Sequence, residues 1–318
     1  MFVLAFGLNF SAGATTWRVN NAVPGADFAT LDAALSGITA GDTLYLEGSQ
    51  TAYTLAETGI TKKVTIIGPG YFLTENPNTL ERQSAATISS TVNIKPAAAG
   101  TVIEGVTFYN SSLSSPIYIG ADNVILRRCC IQESVSFSDG ITGSTHINNT
   151  VITQCYITSA VGGSSTDTND QPYNALITKN IFLNLSSSNL SYLYNATIEH
   201  NTIYNTYASI NYLYGCVIQN NIMRTIGTTT TGSSINNNVT FTSADFATGT
   251  SDGQYQLKAD SPAKIAGTNG VECGAFGGVS PYVLSGLPDI PHIYDIDAPT
   301  TASAASGLQV IIKVGTEK

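Results

Sequence analysis

The chain has 318 residues, and charged residues make up 11% of it, against roughly 25% in typical soluble proteins. Its formal net charge is −9 and it has no basic run, which excludes nucleic acid as an expected partner because phosphates need Lys and Arg. The three histidines are far apart and have no paired cysteines nearby, so the spacing does not indicate a zinc site.

The first fourteen residues are apolar and end in small residues, which is typical of the end of a secretory signal peptide. Ala12 and Ala14 stand at the −3 and −1 positions of a cleavage site before Thr15. The apolar run is too short for a membrane span, and no basic region precedes it. We predict an exported protein, secreted or at the cell surface; the alternative is a buried N-terminal strand.

Residues 15–62 contain one amphipathic pattern, which predicts a helix over 28–38 that caps the first open coil of a repeat region downstream. Asp27 stands at the predicted N-cap position. The apolar stripe of this helix consists of Phe28, Leu31, Leu35 and Ile38.

A nine-residue phrase returns seven times from residue 100 onward, and it determines the fold prediction. Each copy opens on Asn or Gly, which tolerate a left-handed turn, and then alternates inward and outward positions as a short strand does. The fourth, inward position returns after 17 to 26 residues, at Ile103, Leu126, Ile152, Ile177, Ile198, Ile218 and Ile235. Such a period predicts an all-β, right-handed parallel β-helix over 63–280, whereas a β-propeller would need longer blades.

Stacked coils place equal positions of the phrase in one column, about 4.8 Å apart. The seventh position predicts a buried ladder in which Asn side chains bond from coil to coil, at Cys129, Cys155, Asn180, Asn201, Asn221 and Asn238. Five cysteines are consistent with export but do not form a disulfide framework. We interpret Cys129 and Cys155 as buried small side chains, with a disulfide between them as the alternative.

The segment 17–48, WRVNNAVPGADFATLDAALSGITAGDTLYLEG, resembles the N-terminal segment of the right-handed parallel β-helix, pectate-lyase-like superfamily. The SPA and GAFGG sequences at 261–263 and 274–278 resemble final coils of secreted bacterial members, and the whole chain is similar to secreted β-helix repeat proteins of Bacteroidetes-type bacteria. The resemblance implies a fold with a strand, a capping helix and a GDT-type turn before the first coil. It implies no single reaction, because the superfamily includes lyases, hydrolases, epimerases, adhesins and tailspikes.

The sixth position of the phrase is expected to face outward and supplies the candidate catalytic residues. Lys179 and His200 lie in neighbouring coils, Glu199 precedes His200, and Arg128 belongs to the same column. A uronate lyase needs a cation beside the substrate carboxylate and a base that acts near pH 7, which these residues could provide. The alternative is an ordinary polar column. The acidic calcium cluster of pectate lyases and the aspartate cluster of polygalacturonase-like enzymes are absent from the sequence.

Tyrosines repeat in register just before the opening turn of three coils, and we expect their rings to point outward in rows. Such rows offer flat apolar faces and hydroxyl groups on which sugar rings stack. A stacked aromatic ladder that only stabilises the sheet is the alternative. The candidate carbohydrate-binding residues are Tyr173, Tyr192, Tyr194, Tyr212 and Tyr214.

The insertion GGSSTDTNDQ at 162–171 precedes this tyrosine row, and its oxygen-bearing side chains could bind Ca²⁺ through Asp167 and Asp170. The alternative is that this acidic insertion binds no metal ion.

The third position of the phrase is expected to form an apolar outer strip, at Val102, Ile125, Val151, Leu176, Thr197 and Val217. A strip of this size usually has a cover or a partner. The tail, 281–318, ends in a predicted strand at 307–315, and we expect it to return along the solenoid and cover the strip. The alternative is that the strip or the strand mediates self-association or assembly.

Together these patterns predict a noncatalytic extracellular β-helix protein that binds polysaccharide or contributes to an extracellular structure. The alternative is a polysaccharide lyase or glycoside hydrolase that acts on an acidic or a plant or algal glycan.

Overall fold

Each copy of the repeated phrase forms two short strands that belong to different sheets and meet at a bend. In one coil, Ile125–Arg127 and Cys130–Ile131 are the strands, and Arg128 between them has a φ of 52°. The first strand pairs in register with the matching strands of the coils on either side. In this computed structural model the chain is therefore a parallel β-solenoid, as the repeat predicts.

The structure describes residues 13–56, 59–80, 84–111, 116–138, 146–164, 170–183, 190–204, 210–224, 230–240, 246–249, 251–301 and 307–316.

Three parallel sheets run along the solenoid. Sheet A has ten strands: Thr16–Val19, Thr43–Leu46, Thr65–Ile67, Val102–Glu104, Ile125–Arg127, Val151–Thr153, Leu176–Thr178, Thr197–Glu199, Val217–Gln219 and Ser234–Asn236. Sheet B has eight: Thr87–Ile88, Thr107–Phe108, Cys130–Ile131, Tyr156–Ile157, Ile181–Phe182, Thr202–Ile203, Ile222–Met223 and Val239–Thr240. Sheet C also has eight: Val92–Ile94, Ile117–Ile119, Val135–Phe137, Ile147–Asn148, Val161–Gly162, Pro172–Tyr173, Leu190–Tyr194 and Ile210–Tyr214.

Two columns of left-handed residues separate the sheets. The opening Asn or Gly of every copy has a φ between 52° and 80°, which confirms the predicted turn. The sixth position is also left-handed, with φ between 52° and 67° in all seven copies. We call this second column the turn column; its members are Gly105, Arg128, Gln154, Lys179, His200, Asn220 and Asn237. The sixth position is thus a bend between sheets A and B rather than an outward place on a strand.

The predicted Asn ladder forms in the solenoid interior. The side chain of Asn201 accepts hydrogen bonds from the backbone and side-chain N–H groups of Asn180, both at 3.0 Å, and donates to Oδ1 of Asn221 at 2.9 Å. Toward the amino terminus, Asn180 accepts from the backbone N–H of Cys155 at 2.9 Å. Cys129 and Cys155 are buried free thiols, as expected, and burial raises the pKa of Cys129 well above its usual value.

One α-helix, Leu31–Gly37, precedes the regular coils. Its N-cap is Thr30, whose hydroxyl accepts from the backbone N–H of Ala33 at 3.1 Å. The prediction of Asp27 as N-cap is wrong, because the Asp27 carboxylate accepts from the backbone N–H of Arg18 instead. Leu31 and Ala34 are buried in the same core as the first strand of sheet A, which is the position expected of a cap.

After the last coil the chain turns back along the turn column. We call residues 268–289 the strap; the 3-10 helices Thr268–Gly270 and Leu284–Gly286 lie within it. Two further 3-10 turns, Gly253–Tyr255 and Pro262–Lys264, come before it, and another, Pro96–Ala98, joins sheet C to sheet A. An antiparallel hairpin, His292–Asp297 and Ile311–Gly315, follows the strap.

The described part of the tail, 281–318, does not cover the apolar strip as predicted; its residues 281–289 form the end of the strap and lie over the turn column instead. Thr268 and Gly274 bond to Asn220, and Pro281 accepts from Gln154. The strip stays half-buried to exposed on the outer face of sheet A, where Val217 is 37% exposed. The strap follows the bends because their backbone and side chains offer hydrogen bonds, which paired strands do not.

Among the residues that the structure describes, no helix has the length and hydropathy needed to cross a membrane.

Candidate functional site

The predicted carbohydrate-binding tyrosines lie together on the outer face of sheet C. In the strands Leu190–Tyr194 and Ile210–Tyr214, the leucines at 193 and 213 are fully buried, and both tyrosines of each strand point outward. Tyr212 is the most exposed of them, at 42%. The structure therefore brings all five residues to one surface, which we call the tyrosine face.

The rings on this face stack in two ladders. The first ladder joins Tyr173, Tyr194 and Tyr214, with ring centroids 4.9 and 4.7 Å apart and interplanar angles of 13° and 15°. The second joins Tyr192 and Tyr212 at 4.7 Å and 6°. Burial, and then the neighbouring tyrosines, raise the pKa of Tyr194. The stacking follows directly from parallel strand register, because equal positions lie one strand spacing apart.

The two tyrosines of the second ladder have an unfavourable backbone conformation. Tyr192 and Tyr212 both have a φ of 54°, in the left-handed region that costs a bulky residue roughly 1–2 kcal/mol. This conformation places an outward ring between two inward residues, Leu190 and Leu193 in the first strand. Strain of this kind persists where the surrounding structure enforces it, and it is enriched at functional sites.

Ring faces within the ladders are occupied by neighbouring rings, so the edges, the hydroxyls and the terminal faces are what a ligand can contact. Next to Tyr192, the residue in register in the preceding coil is Gly163, since Gly162 pairs with Ser191. Beyond Tyr214, the following coil places the exposed Thr231, whose carbonyl accepts from Gly215. Neither neighbour carries a ring.

The first ladder continues to His146, a residue that the repeated phrase does not assign to this site. Its imidazole lies 4.3 Å from the Tyr173 ring, at 31°. A cavity of about 110 Å³ adjoins His146 and is also lined by Asp122, Pro96 and Ala99. His146 follows an insertion rather than standing in the repeated frame, which is why column alignment missed it.

A column of small and polar side chains runs beside the second ladder. It occupies the outward middle position of sheet C, as the strand register shows, and extends over six coils. Its members are Asn93, Tyr118, Ser136, Gly162, Ser191 and Asn211. Together with the ladders it forms a surface of amides, hydroxyls and aromatic edges.

The expectation that the turn column faces solvent is wrong for Arg128. Its guanidinium is buried and donates to Oδ1 of Asp289 at 2.7 Å, to the Leu287 carbonyl at 2.8 Å and to Gln154 at 2.9 Å. Glu104 lies 3.7 Å away. These partners satisfy the cation within the protein, so the geometry indicates that Arg128 anchors the strap.

His200 is buried under the strap residues Gly277 and Gly278, and its Nε2 contacts the Asn220 amide at 3.2 Å. Burial, then the charge of Lys179, lower the pKa of His200. Burial also lowers the pKa of Lys179, which stays half-buried. Glu199 lies on sheet A instead, where it accepts from Gln219 at 2.9 Å. The catalytic roles of these residues stay predictions, and the strap separates the imidazole from solvent.

The predicted calcium ligands are only partly described. Asp167 lies outside the described residues, while Asp170 is buried and accepts from the Ser138 hydroxyl at 3.3 Å. Within the described ranges, no three His, Cys, Asp or Glu side chains are grouped as a metal site requires. A Ca²⁺ ion at this place stays a prediction.

A buried polar network under the strap was not found from the sequence. The Tyr282 hydroxyl lies 2.6 Å from that of Tyr71 and 3.1 Å from the Asp252 carboxylate, which also accepts from Asn76 at 2.7 Å. Burial raises the pKa of Asp252. A cavity of about 300 Å³ between the strap and residues 76–79 adjoins the network. Its members are up to 211 residues apart in sequence, so no local pattern could reveal them.

Similarity to known proteins is found among solved structures. No family model and no curated protein matches the chain. It is similar to the crystal structure of pectate lyase Pel9A, with 13% identity over 83% of this chain and 97% of that chain and a TM-score of 0.35. It is also similar to a pectin methylesterase from Aspergillus niger, with 14% identity, coverage of 81% and 95%, and a TM-score of 0.33.

Proposed function

We propose that this protein is an exported, noncatalytic β-solenoid that binds polysaccharide on the tyrosine face of sheet C. The observation that carries the proposal is the pair of left-handed tyrosines, Tyr192 and Tyr212, which hold their rings outward at the same place in consecutive coils. Export is supported by the apolar amino terminus alone.

The chemical groups on the tyrosine face suit the binding of sugars. Pyranose rings combine apolar C–H groups with hydroxyl groups, and the ring edges and terminal ring faces of the ladders, next to amides and hydroxyls, complement both. The phenol groups repeat every 4.7 to 4.9 Å along each ladder, beside the column that contains Ser191 and Asn211. A polymer lying along the solenoid would meet the same groups coil after coil, so weak contacts would add up.

The second ladder, unlike the first, stands on left-handed backbone, but that backbone alone does not argue for binding. Bulky members of the turn column such as Lys179 and His200 have nearly the same φ where the chain only bends. What distinguishes Tyr192 and Tyr212 is the large aromatic ring that each holds outward there, with the two ring centroids 4.7 Å apart. A binding role would supply a reason for two such rings at these positions.

We expect the double variant Tyr192→Ala, Tyr212→Ala to bind its glycan at least about tenfold more weakly, a loss of about 1.4 kcal/mol, because two contact rings are removed. A glycan array identifies the ligand, and isothermal titration calorimetry measures the affinity. Tyr109→Ala is the matched control, since Tyr109 is 43% exposed but lies outside both ladders.

Unchanged affinity in the double variant, with normal melting, would contradict the assignment of the site. The same preparation is assayed for unsaturated uronate products by ultraviolet absorbance and for reducing ends. Product formation would overturn the noncatalytic role and support the lyase or hydrolase alternative.

A further inference from the structure

We infer that the polysaccharide bound at the tyrosine face is uncharged, a polymer of neutral sugars, and not a uronate or sulfated polymer. The inference rests on the proposed function and deepens it by naming the class of ligand. It follows from where the cationic side chains of this chain lie.

The outward positions of sheet C carry hydrogen-bonding groups without positive charge. The middle column consists of two Asn, two Ser, one Tyr and one Gly, and the ladders beside it are tyrosines that end at His146. Amides and hydroxyls donate to and accept from sugar hydroxyls equally well. Recognition of repeated carboxylates or sulfates relies instead on Lys and Arg.

A carboxylate adjoins one end of the tyrosine face. At the His146 end of the first ladder, Asp122 lines the same small cavity as the imidazole. The charge that the described residues place at this end of the ladder is therefore negative.

The cations of the central coils are placed elsewhere. Between residues 96 and 257 the sequence has four Lys or Arg residues. Arg127 lies on sheet A and pairs with Glu104 at 2.6 Å, Arg128 is buried, and Lys179 lies in the turn column. The fourth, Arg224, directly follows a strand of sheet B.

Lysines stand beside sheet C at the far end from the second ladder. Lys95 follows Val92–Ile94, the terminal strand, and Lys62 and Lys63 follow Ile60, which bridges to Ile94. Three strands separate Val92–Ile94 from Leu190–Tyr194. Four strand spacings, about 19 Å, exceed a Debye length at physiological salt, so these charges are largely screened at Tyr192.

A polyanion on this face would therefore bring like charges together without a counter-charge. Its carboxylates would lose water and gain no ionic partner, and the net charge of −9 would slow its approach. A neutral polymer meets neither penalty, so the charge distribution favours a neutral ligand.

The test compares soluble neutral glycans, a β-glucan, a mannan and a galactan, with polygalacturonate, alginate and a sulfated galactan. Binding of the full chain is measured at about 10 mM and about 150 mM ionic strength, where screening differs strongly. We expect a neutral glycan to bind with affinity that changes by less than about twofold between the two conditions, and acidic glycans to bind at least about tenfold more weakly.

Two lysine variants make the test independent of the wild-type ligand. Ser191→Lys is expected to increase the affinity for acidic glycans in low salt, while its neutral control Ser191→Asn does not; Ser136→Lys replaces it if that variant misfolds. Tighter wild-type binding of an acidic glycan, lost in high salt, would overturn the inference but leave the proposed function standing. Absence of binding to every glycan would overturn the proposed function itself.

Discussion

At the scale of single residues, the Asn ladder shows most clearly how side chains hold neighbouring coils together. Asn201 is fully buried, and its amide also donates to the carbonyls of Ile177 and Glu199, at 2.8 and 3.1 Å. Each rung thus satisfies backbone groups of its own coil and of its neighbours at a bend where strand pairing is interrupted. Replacing one rung leaves buried groups on three coils without partners.

We predict that Asn201→Ala lowers the free energy of unfolding by about 3 kcal/mol, because several buried donors and acceptors lose their hydrogen bonds. Chemical denaturation followed by circular dichroism measures the change. Asn236→Ala is the matched control, since Asn236 is exposed on the last strand of sheet A, and we expect it to stay within about 0.5 kcal/mol of the wild type. Equal stability of the two variants would show that the ladder contributes little.

At the scale of elements, the strap is what fixes the long edge of the solenoid between sheets A and B. Its hydrogen bonds reach the turn column from Asn220 to Arg128, and Tyr282 packs into a separate apolar cluster with Tyr71 and Ile181. The hairpin beyond it is different, because most of its apolar side chains are exposed, with Val314 at 60%. The two parts of the tail should therefore differ sharply in their effect on stability.

We predict that a chain ending at Asp289 keeps the wild-type melting temperature within a few degrees, whereas a chain ending at Pro281 loses about 3 kcal/mol or more. The shorter chain removes Leu287 and Asp289, so the buried Arg128 guanidinium is left partly unpaired. Differential scanning calorimetry of both truncated chains measures their melting temperatures and tests both predictions. Identical melting curves would mean that the strap adds no stability.

At the scale of the whole molecule, folding stability depends on pH through a histidine that lies between the strap and the solenoid. His200 is covered by the strap, and its pKa lies below 6.5, its ordinary value, chiefly because of burial. Between the folded-state and unfolded-state values, the unfolded chain binds more protons, so the folded state becomes less stable as pH falls. The contribution of His200 is complete above pH 6.5 and is lost as pH drops through the folded-state pKa.

We predict that the free energy of unfolding of the wild type falls between about pH 7 and pH 5, and that His200→Gln reduces this slope because glutamine does not titrate. Urea denaturation at several pH values measures both slopes, with the variant as control for the other titrating groups. A variant whose slope equals that of the wild type would place the pH response on other residues.

The hairpin and the uncovered strip on sheet A both expose apolar side chains, and these are the two surfaces for which self-association is predicted. Ile311 and Ile312 are more than half exposed on a two-stranded sheet, which is marginally stable alone. Self-association through the hairpin or the strip stays a prediction.

The repeated phrase alone determined the solenoid, its inward Ile and Leu positions, the Asn ladder and the row of outward tyrosines. It could do so because strand periodicity and parallel stacking turn equal sequence positions into equal places in space. The sixth position was predicted wrongly, since alternation along a strand does not reveal where a left-handed residue ends it.

Only the tertiary structure decided which column the tail covers, that Arg128 and His200 are buried beneath it, and that His146 extends the tyrosine ladder. These contacts join residues far apart in sequence, such as Arg128 and Asp289. A repeat encodes what each coil shares with its neighbours, whereas a returning tail binds through the few side chains in which the coils differ.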